Sequence, residues 1–219
     1  HRLAAEVMDL LSSRTELGIT FYTDARLRPD GEKGLLVNTL DAYEEYYRQR
    51  AQLWEIQSLT RTRPVAGDLE LGQRFQTLAA ALTNYSGVTE ASNLSGPRKG
   101  RGRRAAGAAL PICFTPDWKQ KIHQMRLRIE KERTPPGKDD LAIKTGKGGL
   151  MDAEFIAQTL CLEHGWQEAN TLRALERARK GKVLPDADKL IGNYRRLRRV
   201  EGILRRWSFV GETVLPVDA

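Results

Sequence analysis

The chain is 219 residues long, 40% hydrophobic and 29% charged, with a net charge of +8. This composition excludes a largely disordered chain, and no apolar stretch approaches the roughly 20 residues that a membrane-spanning helix needs. The length accommodates one large domain or two small ones, and the basic balance suits phosphate-bearing or acidic partners.

Residues 2–12 read as a helix, because Leu3, Val7, Leu10 and Leu11 recur at helical spacing. This amphipathic start is unlike a signal peptide. Ile19 to Leu27 alternates and is rich in β-formers, which predicts a strand. Pro29-Asp30-Gly31 is turn chemistry, and Leu35-Leu36-Val37 reads as a second short strand or a packed loop. A long helix is expected from Asp41 to the stop at Pro64, with Tyr43, Tyr47, Ala51, Trp54 and Leu59 on its core face. A further helix is expected over Leu69 to Leu82.

Residues 86–116 change character. Gly, Ser, Pro and Ala dominate, and Arg98, Lys99, Arg101, Arg103 and Arg104 form a basic knot. This reads as a linker or insertion. A nucleic-acid-binding arm would want aromatic side chains beside those arginines, and there are none. The chain then turns helical: Lys119 to Arg133, stopped by Pro135-Pro136-Gly137, then Met151 to His164, then about 168–180 and 186–207. Cys113 and Cys161 lack a second cysteine at metal-ligand spacing and suit reduced cytoplasmic thiols. His1, His123 and His164 are too scattered for a zinc site.

Two segments carry chemistry. In a strand, Asp24, Arg26 and Arg28 share one face. That set reads either as a surface ion pair or as phosphoryl-transfer machinery, in which a carboxylate serves a metal ion and arginines neutralise phosphate oxygens. Lys144-Thr145-Gly146-Lys147-Gly148-Gly149 precedes a helix. It reads either as a glycine turn capping that helix or as a loop whose N–H groups approach an anion. It is not a Walker A sequence, and Asp152 and Glu154 also suit an ordinary helix N-terminus.

The run Phe21-Tyr22-Thr23-Asp24-Ala25-Arg26-Leu27-Arg28-Pro29-Asp30-Gly31 resembles the third-carboxylate strand of the glutamine synthetase adenylyltransferase family. The similarity continues through Trp54-Glu55, Gln57, Leu59, Arg61, Arg63 and Val65-Ala66-Gly67-Asp68. It resumes at Met125-Arg126, Arg128-Ile129-Glu130 and Arg133, and again at Lys144 and over Gly148 to Gln158.

This resemblance implies an α+β fold, the C-terminal part of a nucleotidyltransferase domain (residues 1–85), then a basic linker or insertion (86–117), then an all-α helical bundle (118–219), truncated at its end. It implies ATP-dependent adenylylation of a tyrosine on glutamine synthetase in the cytoplasm, with Mg²⁺ as cofactor. The nitrogen-regulatory PII protein is a candidate further partner. Asp24 then corresponds to a metal-binding carboxylate, with Arg26 and Arg28 beside it. Lys144, Gly148, Gly149, Asp152 and Glu154 correspond to nucleotide-binding positions.

The family's first two aspartates lie in a Gly-Ser-x-x-Asp-x-Asp motif, which this sequence lacks. The chain is therefore expected to be cut after them and inactive alone. Asp24-Ala25-Arg26 and Ala51-x-x-Trp54-Glu55-x-Gln57 look more like the adenylylating module. The rivals are the deadenylylating module acting by phosphorolysis, the more distant PII-protein uridylyltransferase, and a non-catalytic nucleic-acid-binding module.

Overall fold

A computed structural model describes residues 2–16, 18–19, 23–86, 110–208 and 214–216. The basic knot at 98–104 lies outside the described residues, as do Phe21 and Tyr22. Among the described residues are eight α-helices: α1 (Arg2–Ser12), α2 (Leu40–Gln49), α3 (Leu53–Leu59), α4 (Leu69–Leu82), α5 (Trp118–Arg133), α6 (Leu150–His164), α7 (Thr171–Lys180) and α8 (Ala187–Ser208). No helix among them is long and apolar enough to cross a membrane.

The expected α+β character is not what the described residues show. Their strand content is one antiparallel pair of two-residue strands, β1 (Arg14–Thr15) and β2 (Gly18–Ile19). Thr23 to Leu27 is irregular rather than the continuation of a strand, and so is Leu35 to Val37. A strand holds its shape by pairing its backbone with a neighbour. Here a side chain supplies partners instead. The Arg28 guanidinium donates to the carbonyls of Ala25 at 2.5 Å, Glu32 at 3.1 Å and Gly34 at 3.3 Å, winding residues 25–34 into a compact loop.

The single helix expected from Asp41 is two helices. The chain bends at Arg50–Gln52, and the Gln52 N–H donates to Glu55 Oε2 at 2.7 Å, giving α3 its own start. Glu55 also accepts from the Tyr46 hydroxyl at 2.7 Å, so one buried carboxylate joins α2 to α3. The bend turns Trp54 out of the core, where it is 43% exposed, while Ile56 and Leu59 are buried. The remaining helices lie where the periodicity places them. The Asp68 side chain caps α4 by accepting from Leu71 N–H at 2.8 Å.

Two buried clusters hold the helices together. The first joins Tyr46, Tyr47, Ile56, Leu59 and Leu82 with Phe114, Trp118, Ile122 and Leu162, so residues on both sides of 87–109 share one core. The second joins Leu150, Ala153, Ala157 and Cys161 of α6 with Ala174 and Leu175 of α7 and Ile191 and Tyr194 of α8. The apolar stripe of α1 is uncovered: none of its residues is buried, and Leu3 and Leu10 are more than 70% exposed.

Candidate functional site

Asp24, Arg26 and Arg28 do meet. With Met8, Thr23, Ala25 and Glu32 they line an open pocket of about 450 Å³. The Ser12 and Thr23 hydroxyls, 2.5 Å apart, tie the segment to the end of α1. The arginines differ in what they do. Arg26 grips Asp24 with Nε at 2.9 Å and 3.0 Å from its two oxygens, Nη2 at 2.6 Å and its own backbone N–H at 3.0 Å. Arg28 turns onto the carbonyls of its own loop. The strand-face expectation therefore holds for proximity but not for shared orientation.

Hydrogen bonding from Arg26 draws the Asp24 carboxyl down from 3.8 to about 2. An acid this strong stays ionised at neutral pH and is a weak proton acceptor, so Asp24 is suited to serve as a fixed negative charge rather than as a general base. A divalent cation needs more than this. Mg²⁺ takes six oxygens in near-octahedral geometry, and no group of three or more potential ligands occurs among the described residues. The described residues do not by themselves fit the ion.

The 144–149 loop is a tightly wound turn. Its amides donate inward: Gly146 to Ala142 O, Gly149 to Gly146 O, Leu150 to Ile143 O and Met151 to Lys144 O, all between 2.9 and 3.1 Å. Gly148 N–H donates to Asp152 Oδ2 at 2.6 Å. A Cβ at Gly149 would lie 2.8–2.9 Å from three carbonyl oxygens, so the backbone packs against itself there. Arg126, 4% exposed, fastens the loop from α5, donating from Nη2 to Thr145 O and Gly146 O at 3.0 Å. Its Nε lies 2.7 Å from Asp152 Oδ1 and its Nη1 3.3 Å from Glu130. Those two N–H groups are not aligned for hydrogen bonding, so these are ionic contacts.

Asp152 is thus occupied by Arg126 and Gly148. Glu154 pairs with Arg198 of α8 and lies 3.9 Å from Arg61. Lys144 is half-buried. The five residues expected at a nucleotide sit together around the start of α6, while Asp24, Arg26 and Arg28 occupy a separate pocket.

A further cleft of about 730 Å³ is lined by residues of α2, α3 and α4 together with residues of α5 and α6. Leu27, Tyr43 and Trp54 are among its apolar and aromatic lining residues, and Arg61, Arg128 and Arg133 are its basic groups. Residue periodicity did not mark these arginines as a group, since α3 and α5 meet only in the folded chain. The family resemblance did pass through Trp54, Arg61, Arg128 and Arg133, and that was the available signal.

Residues 1–78 match the family described as glutamate-ammonia ligase adenylyltransferase, and residues 117–219 match the family described as GlnD PII-uridylyltransferase. The chain is 32% identical over 228 residues to the bifunctional glutamine synthetase adenylyltransferase/adenylyl-removing enzyme of Nocardia farcinica, with 99% of this chain and 19% of that protein aligned. It is 36% identical over 171 residues to the protein of the same name in Mycobacterium leprae, covering 75% of this chain and 14% of that one. For Cutibacterium acnes the identity is 33% over 224 residues, covering 99% and 20%. The chain thus spans a fifth or less of the length of the curated relatives it matches.

Proposed function

Because this chain belongs to the glutamine synthetase adenylyltransferase family, we propose that it forms part of an enzyme that transfers AMP from ATP to a tyrosine hydroxyl of glutamine synthetase. The observation that carries the reading is the ionised Asp24 carboxylate set beside Arg26 in an open pocket. The tyrosine hydroxyl releases its proton to solvent as its oxygen bonds to the α-phosphorus of ATP, the bridge to the β-phosphate breaks, and pyrophosphate leaves. Arg26 holds Asp24 charged and in place, and Arg28 fixes the loop that presents both. Mg²⁺ accompanies ATP in this chemistry as a neutralising ion. Asp24 would offer it one carboxylate, and no Gly-Ser-x-x-Asp-x-Asp motif in this sequence would offer others.

In this reading residues 1–85 belong to the nucleotidyltransferase unit, 86–117 to an insertion and 118–219 to a helical unit. Lys144 and the start of α6 act as a rigid support at the nucleotide's side of the protein. The protein works in the cytoplasm, where Cys113 and Cys161 remain free thiols. The PII regulatory protein is a further partner, in keeping with the second family match.

The adenylylating module is favoured by Asp24-Ala25-Arg26 and by Ala51, Trp54, Glu55 and Gln57. The second reading is the removing module, supported by the double name of the relatives. Both are tested by Asp24→Asn in the intact enzyme, assayed for labelled AMP transfer onto glutamine synthetase and for phosphate-dependent release from it. Loss of transfer by about 100-fold or more, of the size expected for a transition-state charge partner, supports the first reading. Loss confined to release supports the second, and loss of neither sinks both.

A further inference from the structure

We propose that the cleft between α3 and α5 is a nucleotide-binding site, in which Arg61, Arg128 and Arg133 hold the phosphates and Trp54 carries the base. This rests on the adenylyl-transfer reading for its choice of ligand, but the site is not the glycine loop. That loop's amides at Gly146, Gly148, Gly149, Leu150 and Met151 already donate within the chain. An anion approaching them would have to break those bonds.

The cleft has what the loop lacks. Its volume of about 730 Å³ falls inside the roughly 300–1,000 Å³ range of small-molecule sites. Trp54 is held on a helix whose Glu55, Ile56, Gln57 and Leu59 are all buried, yet it is itself 43% exposed. A rigidly mounted, open indole is a stacking platform for a base. The basic groups have spare capacity. Among the described residues, the one ion pair of Arg128 is to Glu132 at 3.9 Å and that of Arg61 is to Glu154 at 3.9 Å. Arg133 has no ion pair among the described residues. Three guanidinium forks facing one lining carboxylate, Glu132, fit a polyphosphate.

A further observation points to a hydrogen-bonding ligand. Gln57 lines the same wall and is 2% exposed. Its Nε2 donates to Gln158 Oε1 at 2.7 Å, while its Oε1 has no donor. Buried acceptors are seldom left unpaired, and the amino group of a base in the cleft is a candidate donor. Leu27, one of the cleft's lining residues, is three residues from Asp24, a span of at most about 11 Å along the chain. Phosphates lying beside Leu27 come near the Asp24 loop.

The test is calorimetric titration of the protein with ATP, adenosine and inorganic tripolyphosphate, each as a separate probe. Arg128→Ala/Arg133→Ala removes two exposed side chains and is expected to leave the melting temperature unchanged. It should weaken ATP and tripolyphosphate at least tenfold. Trp54→Ala should weaken ATP and adenosine but not tripolyphosphate. Unchanged affinities in both variants overturn the assignment, as does ATP failing to bind the unaltered protein. A rise confined to the KM for glutamine synthetase also overturns it, since the cleft would then hold the acceptor. If ATP affinity responds as expected while no AMP reaches glutamine synthetase, the site stands and the adenylyl-transfer reading falls. If transfer depends on Asp24 but ATP affinity ignores both variants, the reverse holds.

Discussion

The Arg126 guanidinium and the Asp152 carboxylate meet at 2.7 Å across the junction of α5, the glycine loop and α6. Asp152 turns its second oxygen to Gly148 N–H, and Arg126 spends Nη2 on two loop carbonyls. The pair therefore fixes the loop's shape from both ends. The conformation of a segment that reads as an anion cradle is set by a side chain some twenty residues upstream.

Arg126→Met should destabilise the protein by about 3 kcal/mol, the low end for breaking a buried pair, because Asp152 keeps some access to water. Arg126→Lys should recover only part of this, since one ammonium cannot serve two carbonyls and a carboxylate at once. Urea denaturation measures both, and a midpoint equal to that of the unaltered protein would show that the pair contributes nothing.

Gly165 ends α6 at φ 62°, and a Cβ there would lie 2.5 Å from Asn84 Oδ1. Gly165→Ala should cost about 1–2 kcal/mol for the left-handed backbone alone, with the Asn84 contact adding to it. Combining it with Asn84→Ala should relieve the contact and leave the backbone cost. A double-mutant cycle separates the two, and strict additivity would show that the side chains do not meet.

Alkali should unfold the protein through buried groups that hold their protons. Burial raises the Cys113 and Cys161 thiols from 9.0 to about 11 and the Tyr46 hydroxyl from 10.0 to about 12, and it raises Tyr47 as well. A raised folded-state value means that the stability is fully present below the unfolded value and is lost as pH rises through the folded one. Melting temperatures should therefore fall between pH 9 and 12. Cys161→Ala and Tyr46→Phe should each flatten that decline relative to pH 8, and parallel curves would count against the assignment.

At the acid end, the Asp24 carboxyl should titrate near 2 when followed by carbon NMR, and Arg26→Gln should return it toward 3.8. The folded value is lowered, so its contribution to stability is present above 3.8 and lost as pH falls through about 2. Because the pair is open to solvent, that contribution is small. A titration near 3.8 in the unaltered protein would show that Arg26 does not hold the carboxylate in solution.

Much of this protein was legible in one dimension. Leu69–Leu82, Trp118–Arg133 and Leu150–His164 lie where helical spacing and the Pro135-Pro136 stop put them, because helices depend on neighbours within one or two turns. The motif order from Asp24 to Gln158 carried the family. What periodicity could not decide was whatever depends on partners distant in the chain. Whether Thr23–Leu27 pairs as a strand depends on a neighbouring strand, and the Arg28 side chain took up the Ala25 carbonyl instead. Whether the 144–149 amides face an anion or the chain itself depends on carbonyls and carboxylates brought in by folding. Trp54 looked like core by spacing and became a cleft wall, because a bend at Arg50–Gln52 turned α3 away from α2. The cleft exists because two helix groups separated by 87–109 close on one shared core, and only tertiary packing places Arg61 opposite Arg128 and Arg133.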